Sequence, residues 1–316
     1  MASRIMSRCW ADANRSLDFI DGALAQNCDY IAVGDECHAA VLELIERTLA
    51  ASPADVLIVF DPKRPARRPA LRQILPPLIS LIAARPDEDV AVALSVRHAL
   101  DCLKQPGDTE TFGELVLRMS AAGTVSFVEH AVPGRAAHSQ RPELTMPAAG
   151  PRSPRLSHFV EKVQVSGKRS NTTEVVALKA GLYLLNDFFH ESHSCSQSIE
   201  GLGRHQAGDY WHAILHRREP DYGNAKYWFR HVGRHPLFVE LARHASEQFS
   251  TTSDSLAEKL QSWQSRLVSD RGWDPFVFVD LCEAAHADAA LRAWCESVQY
   301  EEMLLLLAST WRDAVA

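Results

Sequence analysis

Short apolar runs recur at 30–33, 56–60, 90–94 and 125–128, the last interrupted by Ser126. Between them the apolar positions change period: Val41, Leu42, Leu44, Ile45 and Leu49, then Leu71, Ile74, Leu75, Leu78, Ile79 and Ile82, then Phe112, Leu115, Val116 and Met119 fall on helical faces. Strands without polar alternation are buried on both faces, and helices between them are the usual cover of a parallel sheet. The pattern predicts an N-terminal α/β layer domain with a mostly parallel sheet over residues 1–131.

From residue 132 to 158 large apolar residues nearly vanish, while Pro133, Pro142, Pro147, Pro151 and Pro154 alternate with Arg135, Arg141, Arg152 and Arg155. Such a segment buries too little surface to offset its ordering entropy, so it reads as a mobile linker. Helical periodicity then runs almost to the end. Asn171 with Glu174 forms a capping-box pattern ahead of a stripe of Val175, Leu178, Leu182 and Leu185. Asp187 is placed to cap a second helix over 188–199, which Gly201 and Gly203 end. Further helices are predicted at 210–218, 224–232, 237–249, 256–268, 276–287 and 291–311. Residues 159–316 therefore read as an all-α domain of antiparallel helical hairpins. Two domains also suit a 316-residue chain with 46% hydrophobic residues, since single cores stop growing near about 250 residues.

Charge and thiols narrow the setting. A formal net charge of −7 gives no broad positive field, which argues against nucleic acid as a partner. Seven scattered cysteines without a Cys-x-x-Cys pair suit reduced thiols and a cytoplasmic location. The most apolar run, 75–84, is broken by Pro76 and Pro77 and is too short to span a bilayer, so no membrane role is expected.

Histidine supplies the sharpest chemical signal: eight of the 14 lie between His190 and His244. On one helix His212, His216 and Glu219 share a stripe at i, i+4 and i+7. Two imidazoles at that spacing can reach one divalent metal ion, with Glu219 as third ligand, or with Glu191 and His193 from the preceding helix completing the shell. Without a metal, His212 or His216 would serve as a general base oriented by Glu219 or Glu191. The bland alternative is a partly solvated polar face. Arg218 lies on the apolar side of the same helix and needs a partner; Asp187, Glu191 or Asp221 would supply one, unless Arg218 holds an anionic substrate group. His190, His205, His231, His235 and His244 read as surface residues.

A second candidate rim comes from the sheet. If the strands are parallel, Asp35, Glu36, Asp61, His98 and Glu129 leave their carboxyl ends on one edge, where open α/β sheets bind ligands. Asp35 and Asp61 equally fit as helix caps. Phosphate-loop and dinucleotide fingerprints and a Gly-x-Ser-x-Gly elbow do not occur.

The stretch Gly208-Asp209-Tyr210 through Pro220-Asp221-Tyr222-Gly223-Asn224-Ala225-Lys226-Tyr227-Trp228-Phe229 resembles the turn and second helix of tetratricopeptide and Sel1-type repeats. The likeness covers about two hairpins, residues 174–235, and lacks a 34-residue period. It implies stacked helices that bind peptides or proteins. A second likeness, carried by Tyr210 to Glu219, Asn224 to Arg230, Trp273-Asp274-Pro275-Phe276 and the run from Phe278 to Glu283, is to a group of predicted proteins without an assigned function. Two functions therefore compete: a small-molecule enzyme or ligand-binding protein using the His/Glu cluster, and a tetratricopeptide-like interaction scaffold with a protein partner and no catalysis.

Overall fold

A computed structural model of the chain describes every residue except 1–3, 10–12, 14–16, 35–38, 62–68, 85–89, 105–110, 132–140, 149, 152–155, 166, 170–171 and 270–271. Its residues divide into two compact units, Met1–Ser139 and Gln140–Ala316.

In the first unit, β1 (Ile5–Arg8), β2 (Tyr30–Gly34), β3 (Val56–Phe60), β4 (Ala91–Ser95) and β5 (Val125–Glu129) form one sheet in the order β1-β2-β4-β3-β5. Helices α1 (Phe19–Ala25), α2 (Ala39–Ala51), α3 (Pro69–Ile74), α4 (Pro77–Ala84), α5 (Val96–Leu103) and α6 (Phe112–Ala122) connect them. The apolar run expected to form one helix across 71–82 is divided between α3 and α4 at Pro76 and Pro77, where missing N–H donors interrupt the helical ladder. Val41, Ile45 and Leu49 of α2 repeat every fourth residue and pack on Leu57, Val59, Ala32, Ala91 and Ala93 of the sheet. Val56, Ile58 and Phe60 point the other way and are also fully buried, which is why β3 reads as an unbroken apolar run. Thr111 and Glu114 close a reciprocal capping box at the start of α6.

The sheet is mixed. β1 pairs with β2 and β3 with β5 in parallel, but β4 is antiparallel to both β2 and β3. Four strands thus run one way and the central one against them. Burial on both faces produces the same continuous apolar run in either direction, so hydrophobic pattern carries no information about the sense of β4.

The second unit is helical: α7 (Leu156–Glu161), α8 (Thr173–Leu185), α9 (Phe189–Ser198), α10 (Ala207–Arg218), α11 (Tyr222–Val232), α12 (Leu237–Ser250), α13 (Asp254–Leu267), α14 (Pro275–Ala284) and α15 (Ala289–Val315). A two-residue strand pair, β6 (Val268–Ser269) and β7 (Gly272–Trp273), joins α13 to α14. Asp274 caps α14, accepting from the N–H groups of Phe276 and Val277. Helices α8 to α11 pack each against the next in sequence. At Gly181 of α8 an added Cβ would come within 2.4 Å of the Trp211 ring of α10, so only glycine admits this crossing.

Two sequence expectations shift here. Asn171 lies outside the described residues, and the N-cap of α8 is Thr172. Asp187 does not cap α9; it adopts a left-handed backbone at φ 66° and its carboxylate turns to Arg218 instead. Part of the segment read as linker is also held: Leu144 is 2% exposed, Gln299 donates to the carbonyls of Glu143 and Leu144, and the Met146 N–H donates to the Arg218 carbonyl.

Candidate metal centre

Every residue of α10 from Ala207 to Arg218 is buried, including its charged ones. A helix sealed on all sides needs an internal partner for each polar side chain. Arg217 donates to Glu302 and Gln299, and Tyr210 donates its phenol proton to the same Glu302 carboxylate at 2.9 Å. Arg218 donates to Asp187 at 2.7 Å, to the Leu184 carbonyl at 2.7 Å and to the Glu143 carbonyl at 3.3 Å, and lies over the Phe189 ring. Of the three acids proposed for Arg218, Asp187 is the one hydrogen-bonded to it. The guanidinium is thus engaged by acceptors of the protein itself.

His212 is the exception. It is 0% exposed, yet neither Nδ1 nor Nε2 has a hydrogen-bond partner. Burial and then the neighbouring His216 and His193 push its pKa down to about 3, so the ring is neutral near pH 7. Trp228 of α11 stacks on it at 3.9 Å, and His216, one turn along α10, stacks at 4.7 Å. His193 of α9 stands edge-on to both rings, at 4.6 Å from His212 and 5.6 Å from His216. One ring nitrogen from each of His193, His212 and His216 lies within 4.8 Å of the other two.

His216 is held from both ends. Its Nδ1 is 3.1 Å from Oε2 of Glu219, and its Nε2 is 3.1 Å from the side-chain amide of Asn224. The tautomer that satisfies both contacts has the proton on Nδ1, facing the Glu219 oxygen, and the lone pair on Nε2, facing the Asn224 amide. Glu219 sits at the C-cap of α10, where the chain leaves the helix, and reaches His216 from the outer side. Of the residues considered for a metal from sequence, His193, His212 and His216 are the three brought together, while Glu219 lies against Nδ1 of His216. Glu191, on α9, is half-buried and acts electrostatically on Tyr183 and Cys195.

The second candidate rim is divided by the reversed strand. Asp61 follows β3 and is buried, and Glu129 ends the adjacent β5 opposite Phe60, so these two share an edge. Asp35 and Glu36 lie outside the described residues. His98 follows β4, whose last residue Ser95 pairs with the first residue of β2, and therefore sits at the opposite edge. There an added Cβ on Gly123 would fall 2.7 Å from His98 Nε2 and 2.8 Å from Asp55 Oδ2.

Three features were missed by sequence reasoning. Asn224 and Trp228 come from α11 with no local signal for their role. His235 was expected at the surface but is 5% exposed; its Nδ1 accepts from the Leu237 N–H and its ring meets Tyr210 edge-on. Burial, then His205, lowers its pKa to about 4. A cleft of about 360 Å³ is lined by Glu143, Leu144, Thr145, His286, Arg292 and Glu296, and a small cavity lies beside Thr173 and Asp313; the histidine trio lines neither. Among the described residues no helix is long and apolar enough to cross a membrane. No family model, curated protein or solved structure matches the chain.

Proposed function

We propose that the helical unit binds a divalent transition-metal ion through His193, His212 and His216 and offers it to a small molecule. The observation that carries this reading is the buried, neutral His212 ring with both nitrogens unpartnered. An orphaned buried polar atom costs about 1–3 kcal/mol, and a metal–nitrogen bond removes one such cost here. Because His212 is already uncharged, binding releases no proton from it.

The donor set supports the same conclusion. Three imidazoles suit zinc, cobalt, nickel or copper and not the oxygen-seeking magnesium or calcium. Tetrahedral zinc with bonds of about 2.0–2.1 Å places its donors about 3.3 Å apart, so nitrogens within 4.8 Å close on an ion by small ring rotations. Glu219 on the far nitrogen of His216 is the carboxylate–histidine–metal arrangement that fixes tautomer and ring orientation. His193 is half-buried while the other two rings are buried, which leaves the fourth position toward the His193 side. Bound there, zinc would lower the pKa of a coordinated water to about 7 or polarise a substrate oxygen. The placement of successive helices α8 to α11 suits an array of antiparallel hairpins, and the six free cysteines among the described residues suit a cytoplasmic setting.

Chelator-stripped protein titrated with Zn²⁺ or Co²⁺ tests the proposal. One equivalent should bind, Co²⁺ should give tetrahedral absorption bands, and His212→Ala should abolish both. Failure to take up a stoichiometric ion, or uptake unchanged in His212→Ala and His193→Ala, would overturn it.

A further inference from the structure

Resting on that metal reading, we infer that Asn224 is a latch on the site: its amide hydrogen-bonds the one lone pair of His216 that an ion needs, and loading requires the side chain to swing away. The argument starts from Glu219. With Nδ1–H committed to that carboxylate, the only coordinating position left on His216 is Nε2, and the Asn224 amide donates to it at 3.1 Å. A metal on the same lone pair stands about 2.0–2.1 Å from Nε2. If it approaches along the same line, it comes within about 1 Å of the amide nitrogen, well inside van der Waals contact. Turning the amide over does not help, because the oxygen then occupies the same place. Asn224 must leave.

The fold allows the side chain alone to move. The Asn224 backbone N–H donates to the Asp221 carboxylate that caps α11, so the helix start stays anchored, and the Asn224 side chain is only half-buried. His212, by contrast, presents unengaged nitrogens. An ion therefore lands first on His212 and His193, and the site closes when His216 exchanges the amide for the metal. Binding has two steps, the second independent of metal concentration.

The test compares chelator-stripped wild type with Asn224→Ala and Asn224→Ser, neither of which touches the backbone cap. Zn²⁺ affinity is read against a competing chelator and the approach to equilibrium by stopped flow with Co²⁺. A hydrogen bond of about 0.5–1.5 kcal/mol predicts roughly two- to tenfold tighter binding in both variants, with the slow unimolecular phase lost. Wild type that binds with both variants equal or weaker overturns the latch and leaves the metal site standing; weaker binding would make Asn224 a ligand. No uptake by any of the three proteins overturns the metal reading and the latch with it.

Discussion

If His212 is retained for a ligand, the metal-free protein should gain stability when that imidazole is removed. Replacing it by leucine eliminates two buried nitrogens that lack partners, each worth about 1–3 kcal/mol of unmet desolvation. Against this stand the lost ring stack on Trp228, about 0.5–1.5 kcal/mol, and the imperfect fit of a branched side chain in a slot shaped for a flat ring, about 1 kcal/mol. Taken at mid-range, the balance favours His212→Leu by about 2 kcal/mol, which for a unit of this size raises Tm by about 4–8 °C.

Tryptophan fluorescence is the assay of choice, because six of the seven tryptophans, all but Trp10, belong to the helical unit. Melts in chelator should place the leucine variant above wild type. Excess Zn²⁺ should reverse the order, since an ion at a hundred times its Kd adds about 2.7 kcal/mol to wild type and nothing to a variant that cannot hold it. A metal-free leucine variant that melts below wild type would refute the reasoning, for it would show that the ring contributes more to the fold than its orphaned nitrogens take away.

Two further outcomes follow from neighbouring residues. Asp187→Ala leaves the Arg218 guanidinium buried without its carboxylate and should cost about 3–5 kcal/mol in urea unfolding, whereas Asp187→Asn, which keeps an acceptor and tolerates the positive φ, should cost less. Stability should also fall on acidification: the folded pKa values of His212 and His235, about 3 and about 4, lie below the ordinary 6.5, so the unfolded chain binds more protons between those limits. The contribution is complete above about pH 7 and is lost as pH drops from 6.5 toward 4 and then 3. Wild type and His235→Leu melted across that range should differ in slope, the variant being the flatter.

What sequence could reveal is decided by how local each feature is. Helix α10 fixes the His212–His216 spacing by itself, and the apolar stripes of α2 and α8 sit where their periods place them. Features set by strand order or by the next helix were invisible. The antiparallel sense of β4 moved His98 away from Asp61 and Glu129, although no residue inside β4 encodes its direction. Likewise Asn224 and Trp228 meet the histidines only because α11 lies against α10, and His193 because α9 does.

The deepest departure concerns α10 as a whole. Its sequence alternates apolar residues with Asp209, His212, His216, Arg217 and Arg218, a composition that ordinarily marks a face turned to water. Here the helix is enclosed, and most of its charges are answered from other segments: Asp209 accepts the Gly201 N–H, Arg217 meets Glu302 and Arg218 meets Asp187. Local rules fail most instructively where function or strain overrides them. His212 is the position on this helix where enclosure is complete and neither ring nitrogen is answered by any protein atom. Since its two nearest imidazoles come from the next turn and from the adjoining helix, the arrangement that leaves it unanswered is the arrangement that brings three ring nitrogens together.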